Sequence, residues 1–225
     1  MSFDFAVIFD MDGVLVDSMQ GIHESFDELL QQEKIIFSET EHKRFFGQPL
    51  REVVLIWNQE YGLKLTPKEF SQRAFEIEYQ KLIQRAEVDT GLISFLNELK
   101  QNQVPLAIGT ASEKKRANAI IEFLKLKPFF KTIVSADDVP NRGGKKEIFL
   151  KAAKLLEIAP QKCVVIDDAP YGIQAATNAG MKTIGFAATP NAKKELEASD
   201  VVITDFGQIS LEKIKQFIKT PKRNP

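Results

Sequence analysis

Six short apolar runs punctuate the chain: Phe5 to Phe9, Leu106 to Ile108, Ile133 to Val134, Val164 to Ile166, Thr183 to Phe186 and Val201 to Ile203. Most are continuous rather than alternating. That is the pattern of strands covered on both faces, and so of a parallel sheet. Between them the apolar positions switch to helical spacing. Residues 113–125 put Ala117, Ile120, Ile121 and Leu124 on one face, and 146–157 do the same with Ile148, Phe149, Ala152, Leu155 and Leu156. Residues 171–179 are small and helical, with Gly180 as the C-terminal cap. Strand alternating with helix predicts βαβ units and an α/β fold, a doubly wound, Rossmann-like parallel sheet.

The stretch from Asp17 to Ala86 breaks this rhythm. Its spacing predicts helices only, over Gly21 to Gln32, Glu39 to Phe46, Leu50 to Tyr61 and Pro67 to Arg85, with Gly47-Gln48-Pro49, Gly62 and Thr66-Pro67 as the breaks. A helical block after a first strand reads as an insertion into the sheet domain. The expected division is therefore 1–16 plus 87–225 for the α/β core and 17–86 for an all-α domain.

Composition narrows the function without naming it. The 225 residues are 44% hydrophobic, enough for a sizeable core, and the net charge of −1 offers no field for nucleic acid or an anionic membrane. One cysteine, Cys163, excludes an intramolecular disulfide and a cysteine metal cluster. No apolar run is long enough to span a bilayer, and no basic stretch precedes the first one. The expectation is a soluble, cytoplasmic, monomeric protein. Cys163 and Trp57 read as core.

Ligands of an open α/β sheet bind beyond the carboxyl ends of its strands. After the first run comes "FDMDGVLVDS", with Asp10 and Asp12 one residue apart; after Ile108 come Gly109-Thr110-Ala111-Ser112; after Ile166 come Asp167-Asp168. Each piece has an ordinary structural reading. Asp-Gly makes turns, Thr110 and Ser112 can cap the helix from Glu113, and Lys145 and Lys146 can be solvated surface. Their co-occurrence at matched strand ends favours chemistry. Four clustered carboxylates need a cation among them, and an all-oxygen site suits a hard ion, Mg²⁺ by default. Lys145 or Lys146 would supply further positive charge. Such a set suits phosphoryl transfer through a carboxylate nucleophile, with a second acid moving protons.

"FDMDGVLVDS", "IGTAS" and "VVIDDAPYGIQAATNAGM" resemble, in order, three motifs of the haloacid dehalogenase superfamily, and the resemblance extends through "GMKTIGF" and "ASDVVITD". The helical stretch 17–86 resembles the α-helical cap of the group containing β-phosphoglucomutase and phosphoglycolate phosphatase. The resemblance implies Asp10 as nucleophile and metal ligand, and Asp12 as general acid/base whose carbonyl also meets the metal. It implies Thr110, with Ala111 beside it, on the transferring phosphoryl group, and Asp168 and Asp167 on the metal. Gln48 and Arg51, at a break between two helices, are implied substrate contacts. The motif normally reading like GKPxPDIF is "NRGGKKEIFL" here; Lys145, following Gly144, is favoured as the phosphate lysine. β-Phosphoglucomutases resemble one another in a histidine twelve residues after the nucleophile. Ile22 stands at that position and His23 next to it, which tells against a mutase. The expected activity is a Mg²⁺-dependent phosphatase acting on a small phosphorylated metabolite. The rivals are a sugar-phosphate mutase, a dehalogenase proper, and a catalytically silent binding protein.

Overall fold

The computed structural model describes residues 4–45, 48, 50–85, 87–140 and 144–220. The chain divides into two compact units, Met1–Asp17 with Glu87–Pro225, and Ser18–Ala86.

The larger unit is built on six strands, β1 (Ala6–Phe9), β2 (Leu106–Gly109), β3 (Thr132–Val134), β4 (Cys163–Asp167), β5 (Lys182–Phe186) and β6 (Val201–Ile203), in the order β3-β2-β1-β4-β5-β6. Every neighbouring pair is parallel. β1, β2 and β4 are buried along their whole length, as continuous apolar runs require. Helices α5 (Thr90–Gln101), α6 (Lys114–Phe123), α7 (Lys145–Leu156), α8 (Pro170–Asn178), α9 (Pro190–Glu195) and α10 (Leu211–Lys219) connect or follow the strands. From β1 the chain winds outward to β2 and β3, then returns to β4 on the other side of β1. The strand order therefore reverses at β1, where an open sheet leaves a crevice.

The smaller unit contains α1 (Met19–Gln32), α2 (Glu39–Phe45), α3 (Leu50–Tyr61) and α4 (Pro67–Arg85). Its own core gathers Leu29, Val54, Trp57, Phe70 and Ala74. Two of its helices start as their sequences dictate. Before α2, Ser38 and Glu41 form a reciprocal cap, with the Ser38 N–H donating to Glu41 (2.8 Å) and the Glu41 N–H to the Ser38 hydroxyl (3.3 Å). Before α4, Thr66 and Glu69 repeat the pattern, with Pro67 at the first helical position.

Beyond β3, Asp138 ties the start of α6 to the strand end. It accepts from the Ser135 hydroxyl (2.7 Å), the Ser135 N–H (3.0 Å) and Lys114 Nζ (2.8 Å). Burial pushes its carboxyl up, but the bonds from Lys114 and Ser135 outweigh this and hold it at about 2. A depressed carboxylate contributes stability that is present above its unfolded value and lost as pH falls through its folded one. Asp138→Asn is therefore expected to lower stability at neutral pH by about 1 kcal/mol. The gap to wild type should shrink as pH drops from about 4 towards 2, as thermal melts across that range will show.

Candidate active site

The sheet sets the site at one edge. Hydrogen bonds of the β1–β4 ladder continue past the strands, with the Asp10 N–H donating to the Ile166 carbonyl at 2.9 Å. Asp10 therefore stands beside Asp167 at the matched ends of two central strands. On the other side the Thr110 N–H donates to the Val134 carbonyl (2.9 Å), which brings Thr110 to the same edge.

Lys145 arrives from α7. On a helix, residues four apart share a face. Lys145 therefore projects from the same side as Phe149, and both are buried along with Ile148, Ala152, Ala153 and Leu156. Gly109 is what admits this packing, since a Cβ there would come within 2.9 Å of the Phe149 ring. Lys146, a hundred degrees round the helix, is exposed. Leu155, expected on the buried face, is 44% exposed, because the inward stripe is centred on Lys145 and Phe149.

The Lys145 ammonium joins two carboxylates. It donates to Asp10 Oδ2 at 2.5 Å and to Asp167 Oδ2 at 2.7 Å. The Ala169 N–H holds the other oxygen of Asp167 at 3.0 Å. Asp168 completes the group: Asp10, Asp167 and Asp168 each offer one oxygen, all within 4.8 Å of one another. Two glycines make this possible. A Cβ on Gly13 would lie 1.9 Å from Asp168 Oδ2, and Gly13 also has φ +75°; a Cβ on Gly172 would lie 2.0 Å from Asp167 Oδ2.

Such crowding leaves an electrostatic deficit. Burial raises the Asp10 carboxyl to about 7, Lys145 pulls it back, and the charge of Asp167 adds to the rise. Burial and the Asp10 charge raise Asp168 to about 6, against Lys145. Asp167 is raised too, by burial, with Lys145 opposing. Burial would lower Lys145, but the charges of Asp10 and Asp167 outweigh it and drive it upward. One lysine is thus shared by three acids. Asp10 Oδ1 is buried and has no hydrogen-bond partner among the described residues. An unpartnered buried carboxylate oxygen on a residue clustered with two further acids fits a divalent cation such as Mg²⁺.

The haloacid dehalogenase-like hydrolase family matches residues 7–186, from β1 through β5, a span that includes Asp10, Asp12, Thr110, Lys145, Asp167 and Asp168. The chain belongs to this family. The phosphorylated carbohydrates phosphatase of Thermotoga maritima is 30% identical over 200 residues, 88% of this chain and 93% of its own. The fructose-1-phosphate phosphatase of Escherichia coli is 28% identical over 181 residues, 79% of this chain and 94% of its own. Among solved structures, β-phosphoglucomutase of Clostridium difficile superposes with a TM-score of 0.75 at 25% identity, over 96% of this chain and 97% of that one.

Two further details concern the surroundings of Asp12. Ser112 does not cap α6: the helix takes Glu113 at that position, without a side-chain cap bond, and the Ser112 hydroxyl donates instead to Asp12 Oδ2 at 2.8 Å. Arg116, which the sequence reading passed over, also binds Asp12, through Nη1 to Oδ2 and Nη2 to Oδ1, both at 2.8 Å. Its one sequence signal is the four-residue spacing from Ser112. Thr110 is buried and its hydroxyl accepts from the Ser112 N–H at 3.1 Å, while Ala111 is exposed. In the helical unit Gln48 and Arg51 are exposed, and Gln48 Nε2 donates to the Arg44 carbonyl at 2.8 Å. Among the described residues no helix is long and apolar enough to cross a membrane.

Proposed function

We propose that this hydrolase is a Mg²⁺-dependent phosphatase of small phosphorylated carbohydrates, with Asp10 as its nucleophile. The observation that carries the reading is Asp10 itself. One oxygen is paired with Lys145, the other is unpartnered, and two further acids lie beside it. The names of the relatives, phosphatases of phosphorylated carbohydrates and of fructose 1-phosphate, point to the substrate class.

Asp10 attacks phosphorus with a carboxylate oxygen. The new P–O bond forms as the bond to the alcohol oxygen breaks; that oxygen leaves with the electron pair and takes the proton of Asp12. Asp12, now a carboxylate, accepts a proton from water as the water oxygen attacks the aspartyl-phosphate. Phosphate departs and the Asp10 carboxylate is restored. Lys145 holds Asp10 in line and faces the phosphoryl charge. Thr110 accepts from the Ser112 N–H, so its own hydroxyl hydrogen is available to a phosphoryl oxygen. Asp10 and Asp168, the Asp12 carbonyl, and Asp167 directly or through water would hold Mg²⁺, which when bound neutralises the charge of the phosphoryl group. Gln48 and Arg51 would meet hydroxyls or a second anionic group of the substrate.

The likeness to β-phosphoglucomutase favours a second reading, a mutase on the same core. Ile22, where the resemblance expects histidine, counts against it. Purified protein with Mg²⁺ should release free phosphate from sugar phosphates, more slowly from phosphoglycolate and nucleoside monophosphates. A chelator should stop the release and added Mg²⁺ should restore it. An isomeric sugar phosphate formed without free phosphate would establish the mutase instead.

A further inference from the structure

Asp12 is held by a different helix from the one that reaches Asp10. Arg116 grips both of its carboxylate oxygens, and Ser112 adds a third bond to Oδ2. Arg116 Nη1 also donates to the Ser112 hydroxyl at 2.6 Å, which closes a three-membered ring of hydrogen bonds. The side chains of Arg116 and Asp12 are only 12% and 20% exposed, so solvent screens this pair weakly. A guanidinium that meets both oxygens fixes the carboxylate's plane as well as its position.

The loop and the helix around this pair are themselves anchored. The Gly13 N–H donates to the Val16 carbonyl at 2.8 Å, and the Leu15 N–H to the Met11 carbonyl at 2.9 Å, which folds the backbone around Asp12 into a tight loop. The first helical residue of α6 is pinned by its N–H, which donates to Asp137 at 2.8 Å. Ser112, one residue before the cap position held by Glu113, is left to donate its hydroxyl hydrogen to Asp12.

From this geometry we propose that Arg116 is a positioning residue of the reaction: with Ser112 it holds Asp12 through Oδ2, and its bond to Oδ1 gives way when that oxygen carries the proton that Asp12 hands to the leaving oxygen and then takes from water. The assignment rests on Asp12 as the acid/base. Arg116 touches neither substrate nor phosphorus in this role; it acts through Asp12.

The test separates proton delivery from general damage. The substrates are the sugar phosphate turned over fastest in the screen, whose alcohol must be protonated as it leaves, and p-nitrophenyl phosphate, whose phenolate leaves unaided. Arg116→Gln should lower kcat on the sugar phosphate about 10- to 100-fold with little change in KM, as misplacement of a proton donor does. The loss in the p-nitrophenolate burst, which reports the first phosphoryl transfer alone, should be about tenfold smaller. Arg116→Lys, able to bond one oxygen, should recover part of the sugar phosphate rate. Equal losses on both substrates, or a wild-type rate in Arg116→Gln, would overturn the proposal. Asp12→Asn is the reference: it should show the same selectivity more strongly. An Asp12→Asn enzyme without it would overturn the acid/base reading itself, and the proposal with it.

Discussion

Asp10→Asn should reduce phosphate release by on the order of 10³-fold or more while the protein stays folded. Asparagine keeps the shape of the side chain but cannot donate an electron pair to phosphorus and be restored by hydrolysis. An acid quench during turnover should trap an acyl phosphate on the wild type and none on the variant. Folding should survive for a reason visible at the site. Burial already raises the Asp10 carboxyl to about 7, so a neutral amide there removes a charge that the interior disfavours. Lys145 keeps its second partner, Asp167, at 2.7 Å. The melting temperature should therefore move by a few degrees at most. Retained turnover in this variant would remove Asp10 from the nucleophile's role.

Lys145→Ala should damage both activity and stability, and Lys146→Ala neither. The Lys145 ammonium is the cation shared by Asp10 and Asp167, and it is buried with them. Removing one member of a buried ion pair leaves the other uncompensated, which costs about 3–5 kcal/mol. Turnover should fall about 10²- to 10³-fold if, as proposed, the same ammonium faces the phosphoryl charge. Lys146 points to solvent one position further round α7, and its loss should change kcat/KM by about twofold or less. The stability cost of Lys145→Ala should also depend on pH. Asp10 takes up a proton as pH falls below about 7, and a neutral carboxyl has little need of the lysine. The variant should thus lie closer to wild type at mildly acidic than at alkaline pH. Equal effects of the two alanine variants would move the phosphate lysine elsewhere.

Much of this site is local in origin. The β1 and β4 runs are continuous and apolar, so they are strands covered on both faces, and whatever follows them sits at the sheet's edge. Asp10 and Asp167-Asp168 could be assigned to that edge before any coordinates. Between Lys145 and Lys146 the sequence offered only the resemblance, in which the lysine follows glycine as Lys145 follows Gly144; the burial of Lys145 on the face of Ile148, Phe149 and Ala152 came with a helix that starts at Lys145, one residue before the expected 146. Helices α5, α9 and α10 lie outside the predicted set. α9, with six residues, is too short for a period to show, whereas α5 (Leu92, Phe95, Leu96 and Leu99) and α10 (Leu211, Ile214, Phe217 and Ile218) do carry apolar residues at helical spacing.

By itself, then, the sequence determined a parallel α/β sheet interrupted by a helical block, and a concentration of acids at its strand ends. These follow from hydrophobic period and from residues within a few positions of one another. The tertiary structure alone decided the pairings. Lys145 bridges Asp10 across 135 positions and Asp167 across 22, and Arg116 reaches back 104 positions to Asp12. No periodicity carries such separations. They arise only when strand register and helix packing bring distant chain segments to one edge, where burial turns an ordinary set of charges into one that must be matched.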